Sequence, residues 1–322
     1  ALADRLRVRL RLGTRLTGLM RDAGGAVTGI EVAMAEDPKG WARISARQAV
    51  VLAAGGFSAE AEADPGWTDA DHARTSLADS TSEALALAAG VGAALVDMEH
   101  LQMLPCASPD EPGRGIAPVL GSYAVFPYGL MVDPDNGRRF VNEWTDRKTR
   151  ADAMSMLARP AVGIVDGHGL AQAGETIGSH WDPAVLRRFA DLDDLAEHHR
   201  IPPAALAETL QRFNGLIIQG RDLDFGKPIA ATARPLTAPF FALRLRPKAH
   251  STMGGVRIDT QARVLTDSGR PIPRLYAAGE VTGGIHGASR LACCAITECL
   301  VFGRIAGGRA ALEDPIEQET PP

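Results

Sequence analysis

A continuous apolar run, Gln48-Ala-Val-Val-Leu-Ala-Ala-Gly-Gly-Phe57, constrains this chain more than any other feature. Unbroken apolarity over the length of one strand predicts a strand buried on both faces, the kind found in parallel sheets. The glycines that end it, Gly55 and Gly56, predict a backbone that something approaches closely, as at the ligand crevice beyond the carboxyl ends of parallel strands. A second short apolar run, Arg274-Leu-Tyr-Ala-Ala278, again meets a glycine, Gly279. Two such strands predict an α/β fold.

With 322 residues the chain is long enough for two domains, each with its own core. Leu6 to Leu12 alternates with period two and predicts a half-buried strand, continued to Glu31 as a hairpin around Asp22-Ala-Gly-Gly25. Ser80 to Ala89 has helical spacing, with Gly90 just past its end. From Met103 to Lys248 the texture changes to proline-punctuated loops and amphipathic segments, among them Pro183 to Leu195 and Pro203 to Leu216. This predicts an inserted domain over 103–248, between 1–102 and 249–315. The charge run Asp191 to Arg200 reads as a solvated helix face without a function. Beyond Pro247 the pattern predicts a strand over Val256 to Val264, a turn at Asp267-Ser-Gly-Arg270 and a long helix from about Ala292 to Leu312. The tail from Glu313, including 316–322, reads as loose.

Mixed charge and a formal net charge of -5 lack the basic excess that nucleic-acid binding needs. No apolar run approaches the roughly 18 to 20 residues of a membrane span, and Ala-Leu-Ala-Asp-Arg-Leu-Arg has no signal-peptide core. A cytoplasmic location is expected, with a periplasmic one open if an upstream segment carries a signal. Cys106, Cys293, Cys294 and Cys299 show no metal-pair or haem spacing, so no metal is expected and the thiols read as reduced and buried.

Three segments in a fixed order carry a resemblance. They are His250-Ser-Thr-Met-Gly-Gly255, Ile258-Asp-Thr260, and Leu275-Tyr-Ala-Ala-Gly-Glu-Val-Thr-Gly-Gly-Ile-His-Gly-Ala-Ser-Arg-Leu291. Together they closely resemble the C-terminal flavin-site block of the fumarate reductase and succinate dehydrogenase flavoprotein superfamily. The resemblance implies a Rossmann-like FAD-binding domain and an inserted α+β capping domain. The cofactor implied is FAD, approached by Ala54, Gly55, Gly56, Gly254, Gly255, Gly279, Glu280, His286 and Arg290. Glycines remove side chains where a flat ring approaches, and Glu280 at a strand end accepts from ribose or ribityl hydroxyls. The first turn of the following helix, Cys294, Ala295 and Ile296, would turn unpaired amides and a positive dipole end toward the flavin C2 oxygen. His286 is expected to face the flavin or to shape its loop.

Catalytic roles follow from the same resemblance. Arg139-Phe-Val-Asn-Glu-Trp-Thr-Asp-Arg147 matches a family segment whose last arginine donates the proton that accompanies hydride addition, which makes Arg147 the proton donor. Arg290 would clamp a substrate carboxylate bidentately, with His250 as a second ligand. The chain departs from the family elsewhere. Leu104 stands where a carboxylate-binding histidine is expected, Ser122 and Tyr123 replace a Thr-Glu pair, and Phe126 replaces a relay arginine. Tyr123, Asp110 or Glu111 could stand in for that relay. These side chains cannot reproduce the charge-assisted pairs of a dicarboxylate, each worth about 1.5 to 3 kcal/mol. The expected substrate is therefore a 2-enoate with one carboxylate and an apolar or aromatic tail, as in acrylate- or urocanate-type reduction.

No Gly-x-Gly-x-x-Gly fingerprint follows the first strand, so an upstream segment carrying the first βαβ unit is expected to be missing. Two other readings stand beside enoate reduction. One is a dehydrogenase oxidising a saturated carboxylate or ketosteroid-like substrate, and the other is a non-catalytic carboxylate-binding fragment. The electron donor or acceptor is left open, since neither haem nor iron-sulfur spacing is present.

Overall fold

The computed structural model describes residues 5–34, 37–60, 74–76, 79–174 and 182–316. In chain order the first elements are β1 (Thr14–Arg21), β2 (Val27–Met34), β3 (Asp37–Ser45), β4 (Val50–Leu52), α1 (Glu83–Gly90), β5 (Leu95–Val96) and β6 (Leu101–Leu104). Next come α2 (Ala117–Leu120), a π-helical turn (Gly121–Val125), α3 (Phe126–Tyr128), β7 (Leu130–Val132), α4 (Arg147–Ser155), β8 (Ala161–Asp166) and α5 (Gly167–Ala173). β9 (Arg187–Phe189), α6 (Leu192–His199), α7 (Pro203–Gln219), β10 (Phe240–Leu245) and β11 (Lys248–Thr252) follow. The chain closes with β12 (Gly255–Arg257), β13 (Arg263–Leu265), β14 (Pro271–Ala277), β15 (Thr282–Gly283) and α8 (Cys294–Ala310). The architecture mixes helix and sheet, and the chain divides into two compact units. The first holds Ala1–Glu60, Ser80–Leu101 and Thr252–Pro322, and the second Ala61–Asp79 and Gln102–Ser251. Among the described residues no helix is long and apolar enough to cross a membrane.

In the first unit β1, β2 and β3 form an antiparallel sheet. The expected hairpin forms at Asp22 to Gly25, where Asp22 Oδ1 accepts from Ala26 N at 2.9 Å and Gly25 takes φ +86°. The strand expected over Leu6 to Leu12 does not form. Pairing begins at Thr14, and Leu6, Val8, Leu10 and Leu12 are all exposed. Alternation alone cannot hold a strand whose apolar face has no surface to bury against.

The two glycine-ended runs pair, with β4 lying parallel to β14 at Val50↔Leu275, Val51↔Tyr276 and Ala277↔Leu52, but the expected burial of the first run on both faces fails, since Val51 is exposed where the short strand has only one covered face. β13 joins β14 as an antiparallel hairpin whose turn uses Gly269 at φ +76°. α8 packs here, with Phe302, Ile305 and Ala306 against Tyr276 and Ala278. On the other side of this unit, Leu85 and Ala88 of α1 join Leu52, Val256, Leu275 and Ala277 in its main core. The expected strand Val256 to Val264 is broken in two. Asp259 Oδ1 accepts from Gln261 N at 2.9 Å and Arg263 N at 3.0 Å, and Ala262 is left-handed at φ +61°. An aspartate turn therefore wins over strand propensity. The chain near Glu313 is tied rather than loose. Tyr276 Oη donates to Glu313 Oε1 at 2.6 Å and Ile316 N donates to Arg47 O at 2.7 Å, while 317–322 lie outside the described residues.

The second unit is built on the sheet β7-β8-β10-β9. Both faces are covered, and alternate residues of β8 and β10 enter different cores. Ala161, Val165, Phe241 and Leu243 pack with Leu120, Phe126 and Met154, whereas Val162, Ile164, Phe240 and Ala242 pack with Leu195, Leu206 and Phe213. α7 runs beyond the expected Leu216 to Gln219, where Gly220 ends it at φ +67°. The amphipathic segment Pro183 to Leu195 is a turn, then β9, then the start of α6. Asp191 caps α6 by accepting from Asp194 N at 2.9 Å, so the chain cannot be helical before it. Nor is α6 evenly solvated, since Leu195, Ala196 and His199 are buried.

Phe213 is 1 % exposed in the α7 core. Phe213→Ala is expected to cost about 3 to 5 kcal/mol of stability, read as a lowered urea midpoint. A midpoint equal to that of the unchanged protein would contradict this packing.

Candidate active site

β4 and β14 end side by side, and Ala278 N donates to Leu52 O at 3.0 Å beyond the last pair. Each strand then enters a glycine in the left-handed region, Gly55 at φ +78° and Gly279 at φ +79°, where other residues are strained. Between the two turns sits Glu280. Its Oε1 accepts from Thr252 N at 2.9 Å, and Phe57 N donates to Thr252 Oγ1 at 3.4 Å. A Cβ at Gly56 would overlap both Thr252 Oγ1 and Glu280 Oε1, so Gly56 exists to admit this contact. Burial pushes the Glu280 carboxyl above its ordinary value, partly offset by Thr252 and by the nearby Arg290. Glu280 Oε2 has no hydrogen-bond partner among the described residues. A half-buried carboxylate with a spare acceptor fits a hydroxyl-bearing ligand.

A Cβ at Gly254 would overlap Asp97 and Met98 backbone, and one at Gly255 would overlap Val281 and Thr282 backbone. β12 is the middle strand between β15 and β5, so neighbouring protein backbone by itself already requires glycine at these two positions. Ala54 and Gly55 are exposed at the strand end, as a ligand contact there requires.

His286 shapes its loop. Its Nε2 lies 2.7 Å from Glu298 Oε2, while Glu298 Oε1 accepts from Thr282 Oγ1 at 2.8 Å. Glu298, which sequence reasoning missed, thus ties the 282–286 loop to the first turns of α8. The only signal for it was that it is the one carboxylate on α8, where Cys299, like Cys293 before the helix, is exposed rather than buried as expected because no core among the described residues covers that face. α8 begins at Cys294, with Cys293 left-handed at φ +66°. Two of the three amides expected to be open are used: Cys294 N donates to Leu291 O at 3.3 Å and Ile296 N to Cys293 O at 3.1 Å. Ala295 N remains. Arg290 is buried, and its Nη1 donates to Leu291 O at 3.2 Å.

In the second unit the segment from Arg139 to Arg147 is held by buried charges. Arg139 Nε and Nη2 donate to Glu143 Oε1 and Oε2 at 2.9 and 2.7 Å, and Nη2 also reaches Asp222 Oδ2 at 2.9 Å. Lys227 lies 3.7 Å from Glu143 and donates to Gly129 O. Burial works against every one of these charges, yet Lys227 and Arg139 hold Glu143 below the usual carboxylate range, and Arg139 does the same for Asp222. Burial takes Lys227 down to about 8. Glu143 also accepts from Met131 N at 3.0 Å, and its carbonyl accepts from Arg150 Nη1. α4 is thereby fixed at its start, where Asp146 Oδ1 accepts from Thr149 N at 3.0 Å. Arg147 is the first residue of α4, and its Nη1 is buried without a hydrogen-bond partner among the described residues. His250, on β11, lies with its Nδ1 2.7 Å from Thr75 Oγ1.

Of the residues expected to line a substrate, Leu104 and Phe126 belong to the core of the second unit, and Arg150 stacks on the Phe126 ring at 4.0 Å. They cannot form an open wall as they stand. The π-helical turn explains the division, since it breaks the helical register at Ser122 and Tyr123. Tyr123 is 52 % exposed, and Ser122 Oγ donates to the buried Cys106 Sγ at 3.6 Å. Neither acid suggested as a relay is free. Asp110 is held by Arg244, and Glu111 accepts from Ile116 N at 2.9 Å and Ala117 N at 2.7 Å.

Glycine turns on adjacent parallel strands of a mixed helix and sheet fold, with a carboxylate beside them, suit a nucleotide-type cofactor. The family model described as FAD binding domain matches residues 1–296, and the chain belongs to that family, within the fumarate reductase and succinate dehydrogenase flavoprotein superfamily. FAD is accordingly the cofactor that these residues fit. The chain is 37 % identical over 311 residues to the acrylate reductase flavoprotein subunit of Shewanella woodyi, covering 91 % of this chain and 60 % of that protein. The open conformation of a flavocytochrome c3 fumarate reductase matches with a TM-score of 0.70 at 31 % identity, covering 96 % of this chain and 54 % of that one. A 3-ketosteroid delta1-dehydrogenase from Sterolibacterium denitrificans matches with a TM-score of 0.75 at 25 % identity, covering 96 % and 61 %. The chain thus spans little more than half the length of these relatives.

Two predictions follow from this geometry. Glu280→Ala is expected to weaken FAD binding roughly ten- to hundredfold, the loss of a charge-assisted hydrogen bond, measured as the flavin-to-protein absorbance ratio after gel filtration. Undiminished flavin content would remove Glu280 from the cofactor site. Because Glu143 and Asp222 have depressed folded values, their contribution to stability is complete above the unfolded carboxylate range of about pH 4 and is lost as pH falls through the folded values. Glu143→Gln should flatten the fall of the thermal midpoint in acid, and an unchanged acid profile would contradict the assignment.

Proposed function

We propose that the protein is an FAD-dependent oxidoreductase that reduces the C=C bond of a 2-enoate bearing a single carboxylate. Its first unit serves as a Rossmann-like FAD-binding domain and its second as the capping, substrate-side domain. The FAD, when bound, supplies the hydride from N5. Arg147 delivers a proton to the α-carbon, and Arg290 and His250 hold and polarise the carboxylate. The observation that carries this reading is the state of Arg147. A guanidinium on the first residue of α4, just after the segment fixed by the Arg139–Glu143–Asp222 network, keeps a buried Nη1 without a hydrogen-bond partner among the described residues. An arginine stays charged at ordinary pH, so positioning rather than a tuned pKa makes it a donor.

Several features support a monocarboxylate. In sequence, Leu104 and Phe126 stand where the family is expected to carry a histidine and an arginine, and Asp110 and Glu111 are already engaged. The acrylate reductase similarity points the same way. The reverse reaction, oxidation of a saturated carboxylate or ketosteroid-like substrate, is the second reading, favoured by the similarity to a ketosteroid dehydrogenase. The electron partner belongs to another domain, another subunit or a diffusible reductant.

Arg147→Ala in the flavin-loaded protein is expected to lower enoate reduction by about 10²- to 10⁴-fold while leaving flavin content unchanged. Turnover within a few-fold of the unchanged protein would exclude Arg147 as the donor.

A further inference from the structure

The charge run Asp191 to Arg200 gains a use once folded. α6 ends at Arg200, which is left-handed at φ +52°, and its last residues face a cavity of about 540 Å³ in the second unit. The basic groups on its wall come from four separate stretches: Arg159 before β8, Arg187 on β9, His198 and Arg200 at the end of α6, and Arg244 on β10. Four arginines face one aspartate, Asp110, in a chain whose formal net charge is negative.

Part of this charge is already satisfied. Arg244 Nε donates to Asp110 Oδ2 at 3.0 Å, and Arg159 Nη1 donates to Asp135 Oδ1 at 3.1 Å as well as reaching the carbonyls of His199 and Arg200. Arg187 and Arg200 have no carboxylate partner among the described residues. The Arg187 guanidinium lies 5.7 Å from the centre of the Phe189 ring, which supports one of its faces. The neighbouring histidines register the same field. Burial, then His198 and Arg244, take His199 down to about 4, and burial followed by Arg187 and Arg244 lowers His198. Both are therefore neutral near pH 7, and the arginines carry the positive charge. Cationic groups scattered over a convex face are simply hydrated. Gathered around a concavity, they concentrate their field within it.

We infer that this cavity is a binding site for a small polyanion, a molecule carrying two or more phosphate or carboxylate groups, with Arg187 and Arg200 as its principal ligands. Guanidinium forks match either oxyanion bidentately, and the cavity falls within the roughly 300 to 1,000 Å³ of small-molecule sites. The residues proposed above for FAD, the enoate and the proton do not line it.

The test is calorimetric titration of the flavin-loaded protein with inorganic pyrophosphate and, separately, with citrate, at matched ionic strength. At least one anion is expected to bind with a Kd of about 1 mM or tighter, and the stronger of the two shows whether phosphate or carboxylate is the recognised group. The double variant Arg187→Ser with Arg200→Ser should lose tenfold or more in affinity. Arg212→Ser, which removes an exposed arginine paired with Asp224 in the same unit, should not. Flavin absorbance and the thermal midpoint without anion establish that the variants fold. Absence of binding by both anions up to about 10 mM, equal affinity in the double variant, or an equal loss in Arg212→Ser would each overturn the site.

Discussion

The parallel pairing of β4 with β14 joins segments more than two hundred residues apart, and the features of the first unit's site follow from it. Once Val50 lies beside Leu275, the two left-handed glycines fall at neighbouring strand ends and Glu280 is set against Thr252. α8 then packs across the back of the pair through Phe302 and Ala306, and Glu298 at its start captures the His286 loop. Burial keeps the end of β14 dry, while Ala54 and Gly55 beyond β4 stay exposed. No one of these residues makes a site alone.

The second unit uses a different device. A sheet covered on both faces provides rigidity, and four buried charges among Arg139, Glu143, Asp222 and Lys227 fix the segment leading into α4. Such a network contributes less to net stability than its distances suggest, because each charge had to leave water. Its value lies in geometry: an arginine four residues before a glutamate holds the chain in the one arrangement that presents Arg147 at a helix start with an unpaired nitrogen.

Much of this was legible in the sequence because local chemistry and long-range packing agree. Gly55 and Gly279 stand where backbone geometry demands them, although of Val50 to Leu52 only Leu52 is buried. Where the two disagree, the sequence misleads. Leu6 to Leu12 alternates correctly but has no surface to bury against, and Asp259 turns a β-branched stretch into a hairpin entry. Gly254 and Gly255 are also required by the close approach of Asp97, Met98, Val281 and Thr282, a tertiary fact with no local signature. Phe126 was matched to the family by its spacing from Arg139, and a π-helical turn just before it shifts which side chains face outward. The cavity beside α6 was illegible because its arginines come from four stretches that only folding brings together.

The central claim is that a family flavin site serves a monocarboxylate 2-enoate. Its most direct test is anaerobic stopped-flow mixing of the chemically reduced flavoprotein with acrylate or with fumarate, following flavin absorbance. The account predicts rapid reoxidation by acrylate and much slower reoxidation by fumarate. Faster reoxidation by fumarate, or none by either acid while a saturated acid or a 3-ketosteroid bleaches the oxidised flavin, would contradict it.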